Sequence, residues 1–191
     1  MSTKPILFNT DMKSIRFPPP TADEEIRAIL ANRKTATRRA VKEPYYIDDA
    51  EASRVSGLAI HRGTRMTDGM PYPHQPYRPG DILYVREAWT MLLGSYLYRA
   101  NQRPGMKNPG KWLPSIHMPR EAARIFLRVM GVRVEQLYAI TGKQARAEGF
   151  LTRDAFIRAF LTMYPDCTVK SWVWVIEFER ISKEEAENHG Y

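Results

Sequence analysis

The chain has 191 residues, 43% hydrophobic and 26% charged, a balance that excludes a disordered chain or an integral membrane protein. Its formal net charge of +8 and its pI near 9.7 indicate an anionic partner, with nucleic acid or a nucleotide as the first candidate. The apolar runs are too short to span a bilayer, the N-terminus has no signal-peptide pattern, and the single Cys167 cannot form an internal disulfide, so we expect a cytoplasmic protein.

The N-terminal part of the chain predicts a strand, a break and a helix. Residues 5–9 have the pattern of a short strand, and the Phe-Pro-Pro-Pro run at 17–20 is a break that no helix or central strand could cross. Thr21 and Glu24 form a capping box at the start of the helix. Three residues at helical spacing give this helix one buried stripe: Ile26, Ile29 and Leu30.

A strongly basic stretch follows that helix. Residues 33–42 hold five basic residues, two threonines and no acid, and they precede the first predicted barrel strand. Such a junction can present Lys34, Thr37 and Arg39 to one pocket. The alternative is a solvated cationic helix end, because Lys and Arg favour the negative end of the helix dipole.

Residues 43–80 form a long insertion rather than a second domain, because they hold too few apolar residues for a core of their own. The insertion contains prolines, glycines and two histidines, His61 and His74. Its tyrosines predict either a wall on which a base stacks or a loop that is pinned by buried rings. These tyrosines are Tyr45, Tyr46, Tyr72 and Tyr77.

The middle of the chain predicts a strand and a ligand-recognising segment. Residues 78–81 have a turn signature, residues 82–85 form a strand, and residues 96–99 are its expected hairpin partner, followed by a loop at 104–110. The segment 111–120 is irregular because of its prolines, but it holds Trp, Ser and His side chains that recognise ligands. Packing and capping roles are the alternative for these groups.

The C-terminal part predicts a bulged strand, two helices and a final strand. Residues 125–134 form a strand whose apolar phase changes at Gly131, which predicts a β-bulge there. Thr141 and Gln144 make a capping box for a short helix that Gly149 ends. A further helix spans 153–164, and Pro165 stops it; its buried face holds Phe156, Ile157, Phe160 and Leu161. Residues 172–181 form the last strand, and the polar tail after it is either frayed or a short helix.

Clustered strands with few crossover helices predict an α+β fold, a small and mostly antiparallel β-barrel with helices on its outside. We expect one domain at 1–183, with insertions at about 43–80 and 91–120, and a polar tail at 184–191.

The order of these segments resembles the ASCH domain of the PUA-like β-barrel superfamily, whose signature is Gly-x-Lys-x-x-x-x-Arg. Lys34 and Arg39 fall on the Lys and Arg of this motif, and Asn32 stands where the family usually has Gly. Asn is the next-best residue at a left-handed position after a helix. The resemblance covers about residues 5–181, and the segment 111–124 is similar to larger, phage-borne and prophage-borne members.

Some small bacterial ASCH proteins are amidohydrolases that remove the acetyl group from N(4)-acetylcytidine without a cofactor or metal. The resemblance implies catalytic roles for Lys34, Thr37 and Glu148, with a modified nucleoside or nucleobase as substrate. We expect further substrate contacts from Arg39, Arg38, Asn32, Glu87, Trp112, Ser115 and His117. Other members bind RNA, cleave it or act as coactivator modules, so the alternatives are a non-catalytic RNA-binding or DNA-binding module and a ribonuclease.

The chemistry of amide hydrolysis leaves the role of Lys34 open. The reaction needs a nucleophile, a proton carrier and a group that stabilises the oxyanion. If neighbouring arginines and burial push Lys34 toward its neutral form, it can take the proton of Thr37. If Glu148 keeps Lys34 charged, Lys34 stabilises the oxyanion and Glu148 activates a water or the Thr37 hydroxyl.

Overall fold

Five strands form the central sheet and two more form a separate hairpin. The computed structural model describes residues 12–17, 22–41, 76–103, 105–107 and 109–188. In chain order the strands are β1 (Lys13–Arg16), β2 (Ala36–Ala40), β3 (Ile82–Arg86), β4 (Trp89–Leu92), β5 (Ser95–Tyr98), β6 (Phe126–Gln136) and β7 (Trp172–Ile181). The sheet has the order β1-β3-β6-β7-β2, and β4 pairs only with β5 among the described strands.

The sheet is mostly antiparallel, as the sequence predicts. The pairs β3–β6, β6–β7 and β7–β2 are antiparallel, and β1–β3 is parallel. The two edge strands, β1 and β2, do not pair through their backbones among the described residues. A side chain links them instead, since a guanidinium nitrogen of Arg39 on β2 donates to the carbonyl of Arg16 on β1 at 2.5 Å. The fold is therefore α+β with a curled sheet.

The longest pairing, between β6 and β7, contains the predicted bulge. The register shifts between Val129, which pairs with Phe178, and Gly131, which pairs with Glu177. An extra residue on one strand bends it and increases its twist. The phase change at Gly131 in the sequence is thus confirmed as a β-bulge.

The predicted hairpin partner of the strand at 82–85 is wrong. Residues of β5 pair with β4, with Trp89 opposite Tyr98 and Leu92 opposite Ser95, while β3 pairs with β1 and β6. The turn at Leu93 and Gly94 has positive φ at both residues, which suits a tight two-residue hairpin. That turn closes the hairpin between β4 and β5 and leaves β3 to long-range partners.

In the described part of the chain, four α-helices pack around the sheet: α1 (Ala22–Leu30), α2 (Gly142–Ala147), α3 (Arg153–Met163) and α4 (Lys183–Asn188). The Thr141 capping box is present, since its side chain accepts from Gln144 N–H and the Gln144 side chain accepts from Thr141 N–H. Gly149 follows with φ of +91°, as its predicted helix-ending role requires. The polar tail is predicted to be frayed or a short helix, and its residues Lys183–Asn188 form the helix α4. Single-turn 3-10 helices lie at Arg99–Asn101, Ser115–His117, Arg120–Ala122 and Leu137–Ala139.

The core has three main parts. Helix α1 packs Ile26 and Ile29 against one face of the sheet, with Leu83, Leu127 and Ile176 beneath them. Helices α2 and α3 pack on the end of β6 and β7 through a cluster of Leu137, Ile140, Ala145, Phe156, Phe160 and Val173. A third cluster joins β4, β6 and α4 through Trp89, Met118, Phe126 and Ala186. The site described below lies where α1 and α2 meet.

Some predictions concern residues outside the described part of the chain. These are the strand at 5–9, the Thr21 side of the first capping box, and the insertion up to residue 75 with three of its four tyrosines. The fourth, Tyr77, is half-buried, and its hydroxyl donates to the carbonyl of Ser14 at 3.1 Å. Within the described ranges no helix combines the length and apolar character that a bilayer crossing needs.

Candidate functional site

A helix-ending motif at the end of α1 sets the path of the chain between α1 and β2. Asn32 has φ of 54°, its N–H donates to the carbonyl of Ile29, and the N–H of Arg33 donates to the carbonyl of Ala28. This pair of bonds is a Schellman motif, which needs a left-handed residue at the position of Asn32. The expected left-handed role of Asn32 is confirmed, and the motif turns the chain so that Lys34 passes beside α1.

A close backbone approach brings the end of α2 to this segment. The N–H of Thr35 donates to the carbonyl of Ala147 at 2.8 Å. A Cβ at Gly149 would lie 3.2 Å from the Cβ of Ala28 and 3.7 Å from the Cβ of Lys34. Because glycine at 149 has no Cβ and also supplies the positive φ, Glu148 can sit directly against Lys34.

Lys34 is buried between two carboxylates. Its Nζ lies 2.8 Å from Oε2 of Glu148 and 3.2 Å from Oε2 of Glu25, and it also donates to the backbone carbonyl of Glu148 at 2.9 Å. The side chains of Lys34 and Glu148 are only 1% and 2% exposed. The ring centroid of Phe17 lies 5.5 Å from Nζ and closes another side.

Arg38 holds the second oxygen of Glu148. One of its terminal nitrogens donates to Oε1 of Glu148 at 2.9 Å, and the other donates to Oε1 of Glu135 at 2.5 Å. The guanidinium is fully buried and lies 5.7 Å from the ring centroid of Phe156. Lys34, Arg38, Glu25, Glu135 and Glu148 thus form one connected ionic cluster in the interior.

A buried ionic cluster of this size is costly to build. Desolvating each charge costs several kcal/mol, and the mutual attraction repays this only with good geometry and satisfied hydrogen bonds. The geometry here is good, and each oxygen of Glu148 faces a different cation. Both oxygens keep free lone pairs, because an ionised carboxylate offers about four acceptor sites. The cluster can therefore hold its charges in fixed positions and still accept a further hydrogen bond.

Thr37 and Arg39 lie on the other face of β2 from Arg38. Side chains alternate along a strand, and Thr37 pairs with Ile176, whose side chain belongs to the core beneath α1. Thr37 is buried, and neither Lys34 nor Glu148 hydrogen-bonds to its hydroxyl. Arg39 stacks on Phe17, with its guanidinium carbon 5.4 Å from the ring centroid. The structure thus brings Lys34 and Glu148 into contact. Thr37 is close to Lys34 in sequence, but its hydroxyl is hydrogen-bonded to neither of them.

A cavity of about 250 Å³ adjoins the cluster, and Phe17 belongs to the lining of this cavity and to the wall around Lys34. Three of the predicted substrate contacts line it, namely Glu87, Trp112 and Ser115. Asp23 and Arg99 form an ion pair of 2.7 Å within the same lining. We call this space the Phe17 cavity. It unites residues from α1, the end of β3 and the segment 111–120.

Glu87 is the most buried charged group of the Phe17 cavity. Its two oxygens accept from Nε and a terminal nitrogen of Arg124, both at 2.8 Å. Burial raises the pKa of the Glu87 carboxyl, and the hydrogen bonds and charge of Arg124 oppose this rise only in part. The protonated form of Glu87 is thus stabilised by the fold relative to a carboxyl in water.

The remaining predicted contacts lie apart from the cluster. His117 and Asn32 are exposed, and the described residues place neither of them in the Phe17 cavity. No group of three or more His, Cys, Asp or Glu side chains in the described ranges is arranged to hold a metal ion. Cys167 is partly buried and packs against the α3 cluster.

Sequence reasoning missed Glu25, Glu135 and Phe17. Glu25 carries a usable signal, because it lies on the same helical face as Ile29, four residues later, so a carboxylate is placed on an apolar stripe. Glu135 is far from Arg38 in sequence and is reached only through the pairing of β6, β7 and β2. Phe17 reads as part of a proline-rich break, and nothing in its local pattern indicates a contact with Lys34.

Comparisons with known proteins leave the family of this chain open. No family model matches the sequence, and no curated protein matches it. Among solved structures, the crystal structure of protein EF3133 from Enterococcus faecalis, described under the family model DUF984, is similar at 12% identity and a TM-score of 0.46. The match covers 91% of this chain and 82% of the other.

Proposed function

We propose that this protein is an amidohydrolase that removes the acyl group from N(4)-acylated cytosine, as a nucleoside or a free base. The observation that carries the proposal is the buried contact between Lys34 and Glu148, which are 114 residues apart. The ASCH resemblance selects these two residues by motif alone. Spatial contact between them is an independent fact that supports a shared role.

Two carboxylates beside one ammonium favour a charged Lys34. Glu25 and Glu148 both lie within 3.2 Å of Nζ, and an opposite charge at that distance stabilises the ammonium. The three N–H donors of Nζ already face Glu148 Oε2, the Glu148 carbonyl and Glu25 Oε2, so an oxyanion would take the place of Glu25, the longest of these contacts at 3.2 Å. Of the two roles left open by the sequence, these contacts favour Lys34 as the stabiliser of the tetrahedral intermediate.

Glu148 is then the proton acceptor. It takes a proton from a water or from the Thr37 hydroxyl as that oxygen attacks the acyl carbon. The amide C–N bond breaks when the proton passes to the exocyclic nitrogen, which releases cytosine or cytidine. With water as nucleophile the acid leaves directly, whereas with Thr37 an ester forms first and a second water hydrolyses it. Arg38 keeps the carboxylate of Glu148 in position throughout.

The PUA-like barrel belongs to the same proposal. The hydrogen bond between Arg39 and the carbonyl of Arg16 draws the two sheet edges together, as a nearly closed barrel requires. The mostly antiparallel pairing and the bulge at Gly131 support the same architecture.

Nucleic-acid binding is the second candidate, and the net charge of +8 favours it. The basic stretch itself gives that function little support, because Lys34 and Arg38 are buried and fully engaged with carboxylates. Buried cations cannot release counterions from a phosphate backbone. A polynucleotide site, or a ribonuclease site, would have to use other arginines and lysines.

The decisive experiment is an ultraviolet absorbance assay of the purified protein on N(4)-acetylcytidine. The wild type should produce cytidine, and Lys34→Ala should not, in a preparation that circular dichroism shows to be folded. Lys13→Ala is a matched control, because Lys13 also pairs with a carboxylate, that of Asp81, but at an exposed position. Activity should change little between about 50 and 200 mM salt, whereas polynucleotide affinity would fall steeply over that range. No turnover on acetylated or bulkier acylated cytidines would overturn the proposal in favour of nucleic-acid binding.

A further inference from the structure

The Phe17 cavity has apolar walls and a small polar edge. Phe17, Ile26, Leu113 and Trp112 supply ring and aliphatic surface, and Arg86 and Glu87 lie next to each other at the end of β3. Its volume of about 250 Å³ is slightly below the roughly 300–1,000 Å³ of typical ligand pockets. A ligand of one or two rings fits such a space, and a polymer does not.

The polar edge combines one donor and one acceptor. Arg86 donates through a terminal nitrogen to the carbonyl of Ile116, while its buried Nε has no hydrogen-bond partner in the described part of the chain. A buried donor without a partner is costly, so its presence in a cavity indicates a place for a ligand acceptor. Glu87 is held by Arg124 and still has lone pairs to accept an N–H.

The lining holds two acids and two arginines, so it has no excess of positive charge to bind a strongly anionic ligand. Asp23 is paired with Arg99, and the Glu87 carboxylate lies beside the cationic Arg86 in the same wall. A phosphate placed here would face two carboxylates. A neutral ring with an acceptor next to an N–H donor complements the edge instead, and this is the pattern of a cyclic amide or amidine such as a pyrimidine base.

We propose that the Phe17 cavity binds the pyrimidine ring of the substrate, with Arg86 donating to a ring or carbonyl acceptor and Glu87 accepting from a neighbouring N–H. Phe17 and Trp112 contribute the apolar and stacking surface, and the acyl group extends past the edge of Phe17 toward Lys34, whose Nζ lies 5.5 Å from the centroid of that ring. This inference rests on the proposed function for the identity of the ligand, because that function requires an acylated cytosine. It assigns ring recognition to residues outside the motif that carries Lys34.

Binding and hydrolysis can be measured separately. Titration calorimetry with cytidine, the expected product, on the wild-type protein measures affinity for the ring without turnover. Arg86→Leu should weaken binding about tenfold or more, since a charge-assisted hydrogen bond is lost. Arg180→Leu is the matched control, because Arg180 also donates to a backbone carbonyl, that of Leu30, but outside the cavity. The control should bind within about twofold of the parent.

A second variant protects the test against misfolding. Glu87→Gln keeps the shape of the side chain and should also weaken binding, and circular dichroism checks that both variants fold. Unchanged affinity in folded Arg86→Leu and Glu87→Gln would overturn the cavity assignment, even if the wild type hydrolyses the substrate. Binding that depends on Arg86, without hydrolysis by the wild type, would retain the cavity assignment and reject the enzyme. Absence of cytidine binding would overturn the cavity assignment, and absence of binding together with absence of hydrolysis would overturn both proposals.

Discussion

Lys34 makes two hydrogen bonds to a single residue, Glu148, one to its carboxylate at 2.8 Å and one to its backbone carbonyl at 2.9 Å. The second bond ties the ammonium to the end of α2 rather than only to a rotatable side chain. A rigid attachment of this kind would give the proposed oxyanion stabiliser the fixed position that catalysis needs. It also means that the stability of the fold and the integrity of the site depend on the same contact.

Removal of the Lys34 charge should destabilise the protein strongly. In Lys34→Met the carboxylates of Glu25 and Glu148 lose their shared cation, and an unpaired buried charge costs about 3–5 kcal/mol. Urea unfolding measures the loss. Arg128→Met is the control, because its pair with Glu179 is partly exposed and should contribute less than about 1 kcal/mol. Equal losses in the two variants would contradict the buried ionic cluster.

Gly149→Ala should be more damaging than the same change at a glycine with equal backbone geometry. Gly80 and Gly149 both have φ of +91°, but a Cβ at 80 meets open space and a Cβ at 149 meets Ala28 at 3.2 Å. The left-handed conformation costs both variants about 1–2 kcal/mol. Crowding should add about 1 kcal/mol or more at 149 alone. Chemical unfolding of the two variants gives this difference, and a difference near zero would show that Ala28 yields without cost.

Substitutions of Thr37 distinguish attack on the acyl carbon by the Thr37 hydroxyl from attack by a water. If its hydroxyl attacks the acyl carbon, Thr37→Val should abolish turnover of N(4)-acetylcytidine and Thr37→Ser should retain part of it, with an acylated enzyme visible by mass spectrometry. If water attacks, Thr37→Val should lower kcat only modestly. Thr90→Val is a control for burial of a threonine, since Thr90 is also buried but lies on β4. A large loss in that control would indicate general damage to the fold.

The pKa of Glu87 predicts how stability changes with pH. Burial raises this pKa above the usual 4.5, so the folded protein holds the proton more tightly than the unfolded chain. The contribution of Glu87 to stability is therefore complete below pH 4.5 and declines as pH rises through the folded-state pKa. Glu87→Gln has no such titration. Relative to this variant, the wild type should lose stability in urea unfolding as the pH rises above 4.5 through the raised folded-state pKa.

Glu185 supplies a control of opposite sign. Hydrogen bonds from Ser182 lower its pKa, so its contribution is present above the unfolded-state value and is lost as pH falls through the lower folded-state value. Relative to Glu185→Gln, the wild type should therefore lose stability toward acid pH. The same slope in both comparisons would contradict the cause assigned to the Glu87 shift.

The local elements follow directly from the sequence. The capping box at Thr141, the left-handed Asn32 and the helix end at Gly149 depend on residues within a few positions of each other, and the bulge at Gly131 is indicated by a change of apolar phase within β6 itself. Hydrogen bonds of that range are encoded in short patterns, which is why these predictions are confirmed. The hairpin prediction failed because the pattern of β5 is compatible with any adjacent strand, and the turn at Leu93 and Gly94 makes β4 the nearer partner.

By itself the sequence indicated an α+β chain of mostly antiparallel strands, and the ASCH resemblance selected Lys34 and Glu148 as candidate site residues. The tertiary structure alone decided that Glu25 and Glu135 complete their ionic cluster and that Phe17 borders both this cluster and a cavity. The physical reason is that the residues in these contacts are far apart in the sequence. Contacts such as Arg38 with Glu135 arise when β6, β7 and β2 pair in one register, and that register depends on burial across the whole sheet.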